Sequence, residues 1–270
     1  MKLNKIDKVE YYQQLTDTYR IKKTFSNDYI QNEVAELISK SLLFEHHTES
    51  NLFLFVKKDF GMRVYYYIGN SEEIADFSSI DNIVIEILYR GEKFYPQDEI
   101  DYLQKCGFEI NLIRDQYCGI YKDLNQPKFV NHSVIMSFAE NLKEVETACL
   151  LFNDTFDNLS GDFISPSSYT EYFENNHILI AKDTENNFLG ALHQTIEKGV
   201  AWISHVAVLP EARGKHIGQA LLNEFIHRNY TTEKQRYMFW VQKQNTVAVN
   251  MYEKKGFKYL NKSTISLIKK

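Results

Sequence analysis

Arg213, Gly214, Lys215, His216, Ile217 and Gly218 form a short stretch between an apolar run, Val206-Ala207-Val208, and an amphipathic one that opens Gln219-Ala220-Leu221-Leu222. Read as strand, turn and helix, the stretch sets successive free backbone N–H groups at the positive end of a helix dipole, where a pyrophosphate can be held. Glycine suits such a turn, because a Cβ would keep the anion away from the backbone. Glycine-containing turns of this kind also occur for packing alone. Downstream, Asn245, Ala248 and Tyr252 follow one another at intervals of three and four residues. That spacing puts them close to one face of a helix, able to approach one ligand together. A core tyrosine on an amphipathic helix would show the same spacing.

These residues need elements to position them, and the second half of the chain supplies an alternating series. Residues 141–152 have helical periodicity, with Leu142, Val145, Ala148 and Phe152 on one face. Residues 177–181 and 187–192 read as strands on either side of a polar turn, and residues 201–208 as a third strand ended by Pro210. A helix comes next with Ile217, Leu221, Phe225 and Arg228 along it, and residues 237–241 are apolar enough for a central strand. The spacing then predicts a helix over 246–255 stopped by Gly256, and two short strands to finish. This alternation predicts an α/β fold, a mixed central sheet flanked by helices.

In the first half, residues 52–56 and 63–68 suggest a hairpin turning at Asp59-Phe60-Gly61, and residues 83–88 another strand. The helical stretch after it ends Leu103-Gln104-Lys105-Cys106-Gly107-Phe108, which echoes Tyr252-Glu253-Lys254-Lys255-Gly256-Phe257. The echo fits two related domains, although capping alone also produces such an ending. The polar, proline-broken segment at 122–128 is the natural seam, so domains are expected at 1–125 and 129–270.

With 31 basic and 36 acidic residues, a net charge of −5 and no basic block, the chain does not read as a nucleic-acid binder. No run approaches the roughly 20 apolar residues of a membrane span, and the charged start lacks the apolar centre of a signal peptide. Cytoplasmic placement is expected. Cys106, Cys118 and Cys149 share no metal-ligand spacing, and their odd number argues against a disulfide framework. No metal is expected.

The string from Val206 to Leu222 resembles the acetyl-CoA signature of the GNAT (GCN5-related) N-acetyltransferases: V-A-V-x-P, then R/Q-x-x-G-x-G/A, then A-L-L. Asn245, Ala248, Tyr252 and Gly256-Phe257 resemble the family's N-x-x-A-x-x-x-Y-x-x-x-G-F ending. The resemblance is specific between Ile203 and Phe257. It implies that residues 213–219 cradle the pyrophosphate, and that Val206, Ala207 and Val208 present backbone groups to pantetheine. One of their N–H groups would polarise the thioester carbonyl. It implies also that Asn245 contacts coenzyme A and that the Tyr252 hydroxyl protonates the departing thiolate. His216 stands where the family usually has a glycine, and its N–H keeps the cradle possible. The first half has no Arg-Gly turn, and Leu103 takes the place of Tyr252. The resemblance therefore suggests a tandem arrangement with a degenerate first copy.

The implied activity is transfer of an acetyl group from acetyl-CoA, as co-substrate, to a primary amine on a small molecule or a protein. His205, immediately before the V-A-V strand, is the candidate base, with an ordinary pKa of about 6.5; His193 on the preceding strand is a second. A strand histidine can also be simply hydrogen-bonded in the core. The mixed acidic and aromatic segment at 153–163 would suit a cationic amine, or be merely solvated. Two other functions stay open: a GNAT-like module that holds acyl-CoA without turnover, and aminoacyl or longer acyl transfer on the same scaffold.

Overall fold

Leu52-Phe53-Leu54-Phe55-Val56 is apolar at every position, which suits a strand covered on both faces. In the computed structural model, which describes residues 1–125 and 133–270, all five are buried. Phe53 and Phe55 join one core, and Leu52, Leu54 and Val56 another on the opposite face of the sheet.

The chain runs β1 (Asn4–Lys5), α1 (Val9–Lys22), β2 (Phe25–Ser26), α2 (Val34–Ser39), β3 (Leu43–His47), β4 (Asn51–Lys58), β5 (Gly61–Ile68), β6 (Ile83–Tyr89), α3 (Gln97–Lys105) and β7 (Glu109–Ile120). It continues with β8 (Val134–Phe138), α4 (Leu142–Thr155), α5 (Tyr169–Glu174), β9 (Ile178–Asp183), β10 (Phe188–Glu197), β11 (Val200–Val208), α6 (Ile217–Arg228), β12 (Arg236–Gln242), α7 (Thr246–Lys255) and β13 (Lys258–Lys269). Two compact units result: Met1–Ile113 with Ser263–Lys270, and Arg114–Lys262.

In the first unit the order is β1-β3-β4-β5-β6, closed by residues 263–269 of β13, which pair antiparallel with β6. In the second it is residues 114–120 of β7, then β12-β11-β10-β9-β8. β5 with β6 and β11 with β12 pair in parallel. The strand after α3 thus completes the second unit, and the strand after α7 completes the first. Helices cover the second unit's sheet on both faces: Leu179, Ala181 and Leu192 pack with α6, while Ile178, Ile180 and Ala191 pack with α4.

The echo between Leu103–Phe108 and Tyr252–Phe257 extends to the order of elements. Each unit has two helices, three antiparallel strands, a parallel fourth, and a helix ended by a glycine with positive φ, Gly107 or Gly256. Two elements differ: β2 lies between α1 and α2, with no strand between α4 and α5 among the described residues, and the second difference is a helix. α6 lies between β11 and β12, whereas residues 69–82, between β5 and β6, contain no helix.

The change of unit falls between Ile113 and Arg114, ahead of the segment that reads as a seam. Lys122 N–H donates to the Glu233 carbonyl and Asn125 N–H to that of Lys255, with Leu124 buried, so residues 121–125 pack within the second unit. Gln126, Pro127 and Lys128 lie outside the described residues, as does the predicted domain start at 129. The two closing strands are a single 12-residue strand, β13, bent at Asn261 with φ +54°. Leu142 is exposed, and Cys149 takes its place on the buried face of α4.

Candidate functional site

The parallel pairing of β11 with β12 covers only Val200↔Arg236 to Ile203↔Phe239. β11 continues to Val208 along β10, and β12 to Gln242 along β7, so past Ile203 the two strands have no ladder between them. A bulge sits at the parting. His193 pairs with His205 and Gln194 with Ile203, which leaves Ser204 as the extra residue. The bulge reverses the facing of the rest of β11: Ala201 and Ile203 pack on the α6 side, but Ala207 packs on the α4 side. Val206 and Val208 turn toward α6 instead.

After β11, Leu209 N–H donates to the Leu189 carbonyl, and Pro210 opens a 3-10 turn that buries Ala212. Arg213 folds back, its Nε donating to the Val208 carbonyl at 3.3 Å. Gly214 has φ +78° and His216 φ +60°, so two left-handed residues turn the chain into α6. That conformation costs a non-glycine residue roughly 1–2 kcal/mol. Ala220 N–H is the first of the helix to find a partner, the His216 carbonyl. Among the described residues nothing accepts from the N–H groups of Gly214, Lys215, His216, Ile217, Gly218 or Gln219. They open on a groove of about 1370 Å³ that runs between α6 and α7 from Val208 to Lys255. A Cβ on Gly218 would meet only the Val208 side chain, at 3.8 Å.

α7 forms the far wall through Val247, Asn250, Met251 and Lys254, which share a helix face. This i, i+3, i+4, i+7 pattern is present in the sequence but lacks the Gly and Tyr landmarks that mark the motif. Asn245 caps α7, its side chain accepting from Ala248 N–H at 3.1 Å, which fixes the helix start. Tyr252 is 6% exposed, with its ring centroid 4.0 Å from that of Phe239 and 6.0 Å from that of Phe257. Burial raises its pKa above the usual phenol value, so the hydroxyl stays protonated. Burial also lowers the pKa of Lys255, which lines the same groove.

On the α4 side, His205 lies 5.2 Å from the Phe152 ring and 5.0 Å from that of Phe156, with His193 beside it. Burial first, then His205 and His177, push the pKa of His193 down to about 3. The segment at 153–163 is folded rather than loose. Asn153 accepts from and donates to the Ile164 backbone, and Asp157 accepts from both Ser160 N–H and its hydroxyl. Among the described residues no group of three metal-ligating side chains comes together, and no helix is long and apolar enough to cross a membrane. The cysteines are unpaired thiols. In the first unit Leu103 is fully buried, and with no helix at 69–82 there is no second row of free N–H groups of this kind among the described residues.

Residues 146–257 match the family model described as acetyltransferase (GNAT) family. Among solved structures, the chain is similar to a GCN5-related N-acetyltransferase from Sphaerobacter thermophilus, with TM-score 0.57 and 13% identity over 82% of this chain and 76% of that one. It is similar also to a GCN5-related N-acetyltransferase from Kribbella flavida, with TM-score 0.53 and 13% identity over 93% and 94%. A tandem GNAT protein from the clavulanic acid biosynthesis pathway gives TM-score 0.53 and 9% identity over 84% and 82%. At these identities the likeness is one of fold. Among curated proteins none matches the sequence.

Proposed function

We propose that the protein moves an acetyl group from acetyl-CoA to a primary amine by direct attack in a ternary complex, since residues 146–257 match the GNAT acetyltransferase family model and the likeness to solved GNAT structures extends into the amino-terminal half. The row of unpartnered N–H groups from Gly214 to Gln219, beside the parting of β11 and β12, carries this reading. A pyrophosphate satisfies those donors, with Arg213 and Lys215 adding charge. Past Ile203 the backbone of Val206 to Val208 is open to the pantetheine arm, and an N–H there polarises the thioester carbonyl.

His205 takes the proton of the incoming ammonium, and the freed nitrogen attacks the carbonyl carbon. As the carbon–sulfur bond breaks, the protonated Tyr252 hydroxyl gives its proton to the thiolate and recovers one from solvent. Asn245 sets the start of α7 and so the position of Tyr252 on that helix.

Calorimetry with acetyl-CoA tests the binding, and thioester consumption across a panel of amines tests the transfer. Saturable binding that also raises the melting temperature is expected, since the ligand binds only the folded state. No binding at millimolar ligand would remove the reading.

A further inference from the structure

His193 and His205 are paired across β10 and β11 at the step before the bulge. Their Nδ1 atoms lie 3.2 Å apart, their ring planes 5° apart and their centroids 5.5 Å apart. Centroids so much farther apart than the nearest nitrogens mean that the rings lie edge to edge in a common plane. This is the geometry of an in-line N–H···N hydrogen bond, not of a face-to-face stack. The residues are 5% and 8% exposed, so water does not compete for the bond. An imidazolium donates from both nitrogens. Whenever His205 is protonated, therefore, its Nδ1–H points at His193, and His193 must offer a lone pair.

The bulge creates this pair. Without Ser204 as an extra residue, His205 would fall on the face of Ala201 and Ile203, away from α4. Given the reading of His205 as the base, we propose that His193 is its positioning residue: a neutral imidazole whose Nδ1 accepts from His205 Nδ1–H while His205 Nε2 takes the proton of the amine. The balance is simple. One N–H bond of the ammonium breaks, one forms at His205 Nε2, and the proton at His205 Nδ1 stays in place, shared with His193.

The outer nitrogens of the pair, His193 Nε2 and His205 Nε2, are themselves buried, so an amine reaches His205 only as the neighbouring side chains move aside. Tyr172 of α5 lies 4.5 Å from His193 between ring centroids, His177 at the head of β9 lies 6.1 Å away, and Phe152 of α4 lies 6.4 Å away. Cys149 of α4 shares the core, its thiol pushed up to about 12 by burial. These groups bring no anion to His193, and its depressed pKa keeps it an acceptor in the working pH range. Glu171 acts on His177, with an effect smaller than burial. Phe152 and Phe156 set apolar rings beside His205, and these do not solvate an imidazolium. An acceptor at Nδ1 replaces part of the hydration it loses.

The test is titration of the imidazole nitrogens by NMR in the full chain labelled with 15N-histidine, as parent, His193→Phe and His193→Gln. In the parent the first proton of the pair should go to His205, with His193 showing an unprotonated Nδ1. His193→Phe keeps a ring of similar size without an acceptor, and should lower the pH of half-protonation of His205 by about one unit. His193→Gln supplies a carbonyl oxygen and should restore most of that loss. A first proton on His193, or a His205 titration that is the same in the parent and the Phe variant, overturns the proposal. Acetyl transfer by the parent decides the reading of the site, and the titration decides the pair, so each can fail without the other.

Discussion

Ile203 and Phe239 are the last residues through which β11 and β12 pair. The Tyr252 ring rests on Phe239, so the final paired residue of β12 seats the phenol beside the opening. On the other strand, β11 runs five residues beyond Ile203 to Val208 and then enters the turn whose N–H groups are free. One divergence therefore sets the places of the open β11 backbone, the turn with free N–H groups and the Tyr252 ring.

Gly218→Glu puts a carboxylate in the first turn of α6, facing the free N–H groups. A Cβ at this position meets only an ordinary contact with Val208, so the fold should tolerate it. The carboxylate is stabilised there and repels the pyrophosphate. CoA affinity should fall by about 100-fold or more, with the melting temperature of the free protein little changed. Calorimetry beside a thermal melt checks both. A folded variant that binds like the parent would place the anion elsewhere.

His216 holds a left-handed conformation that glycine adopts without cost. His216→Gly should stabilise the free protein by about 1–2 kcal/mol as the strain is removed. It should also tighten CoA binding by roughly two- to tenfold as the Cβ is removed. His216→Val should weaken binding and destabilise by about 1–2 kcal/mol, since a β-branched residue at this φ is a genuine outlier. Equal dissociation constants for the two variants would show that the side chain at 216 does not limit the approach of the anion.

The turn at 213–219 and the α7 ending are legible in the sequence because they combine residue type with fixed spacing. Gly256 stops α7 where the sequence says it should, and Tyr252 is buried on the predicted helix. The bulge at Ser204 leaves no such trace. A strand's alternation assigns His205 and Ile203 to the same face, and only the ladder shows that one extra residue separates them. The exchange of closing strands is equally hidden: β7 and β13 read as ordinary strands, and pairing partners many residues away are not encoded in local periodicity. Leu142 is exposed against expectation because helical periodicity cannot distinguish a buried first turn from a solvated one.

The strand exchange has its own consequence. Ile265 and Leu267 are fully buried against β6 in the first unit's core. Ending the chain at Lys262 removes both and leaves β6 with an open edge. Amide exchange of β6 should then accelerate, with the first unit destabilised by several kcal/mol, on the order of two large buried side chains. A fragment of residues 1–125 should fare no better, because it lacks the same strand and carries residues 114–120 without β12. Unchanged β6 protection in either would mean that the closing strand is dispensable.

His193 links stability to acid. Its folded pKa of about 3 lies below the unfolded value of 6.5. The unfolded chain therefore binds the additional proton, and stability that is complete above pH 6.5 is lost progressively as pH falls toward 3. His177, lowered chiefly by burial, acts in the same direction. Each group contributes a slope of at most about 1.4 kcal/mol per pH unit. His193→Phe should flatten the dependence of denaturant-derived stability on pH over the upper part of that window, from about pH 4 to 6.5. Identical slopes for parent and variant would mean that His193 is protonated as easily in the folded chain as in the unfolded one.

Tyr252→Phe deletes one hydroxyl and keeps the ring, so the contacts with Phe239 and Phe257 should survive. Burial keeps that hydroxyl protonated at neutral pH, as an acid requires. If it protonates the departing thiolate, its loss should lower kcat by roughly 10- to 1000-fold. KM for acetyl-CoA should move little, because the interaction belongs to the transition state rather than to the bound ground state. The loss is bounded, since a thiolate is a competent leaving group and water in the open groove can supply the proton late. Once an acceptor is in hand, steady-state kinetics of the variant beside the parent measure the effect, with a pre-steady-state experiment to establish that chemistry limits turnover. An unchanged kcat under that condition would leave Tyr252 as a packing residue between α7 and β12, and would assign protonation of the sulfur to solvent.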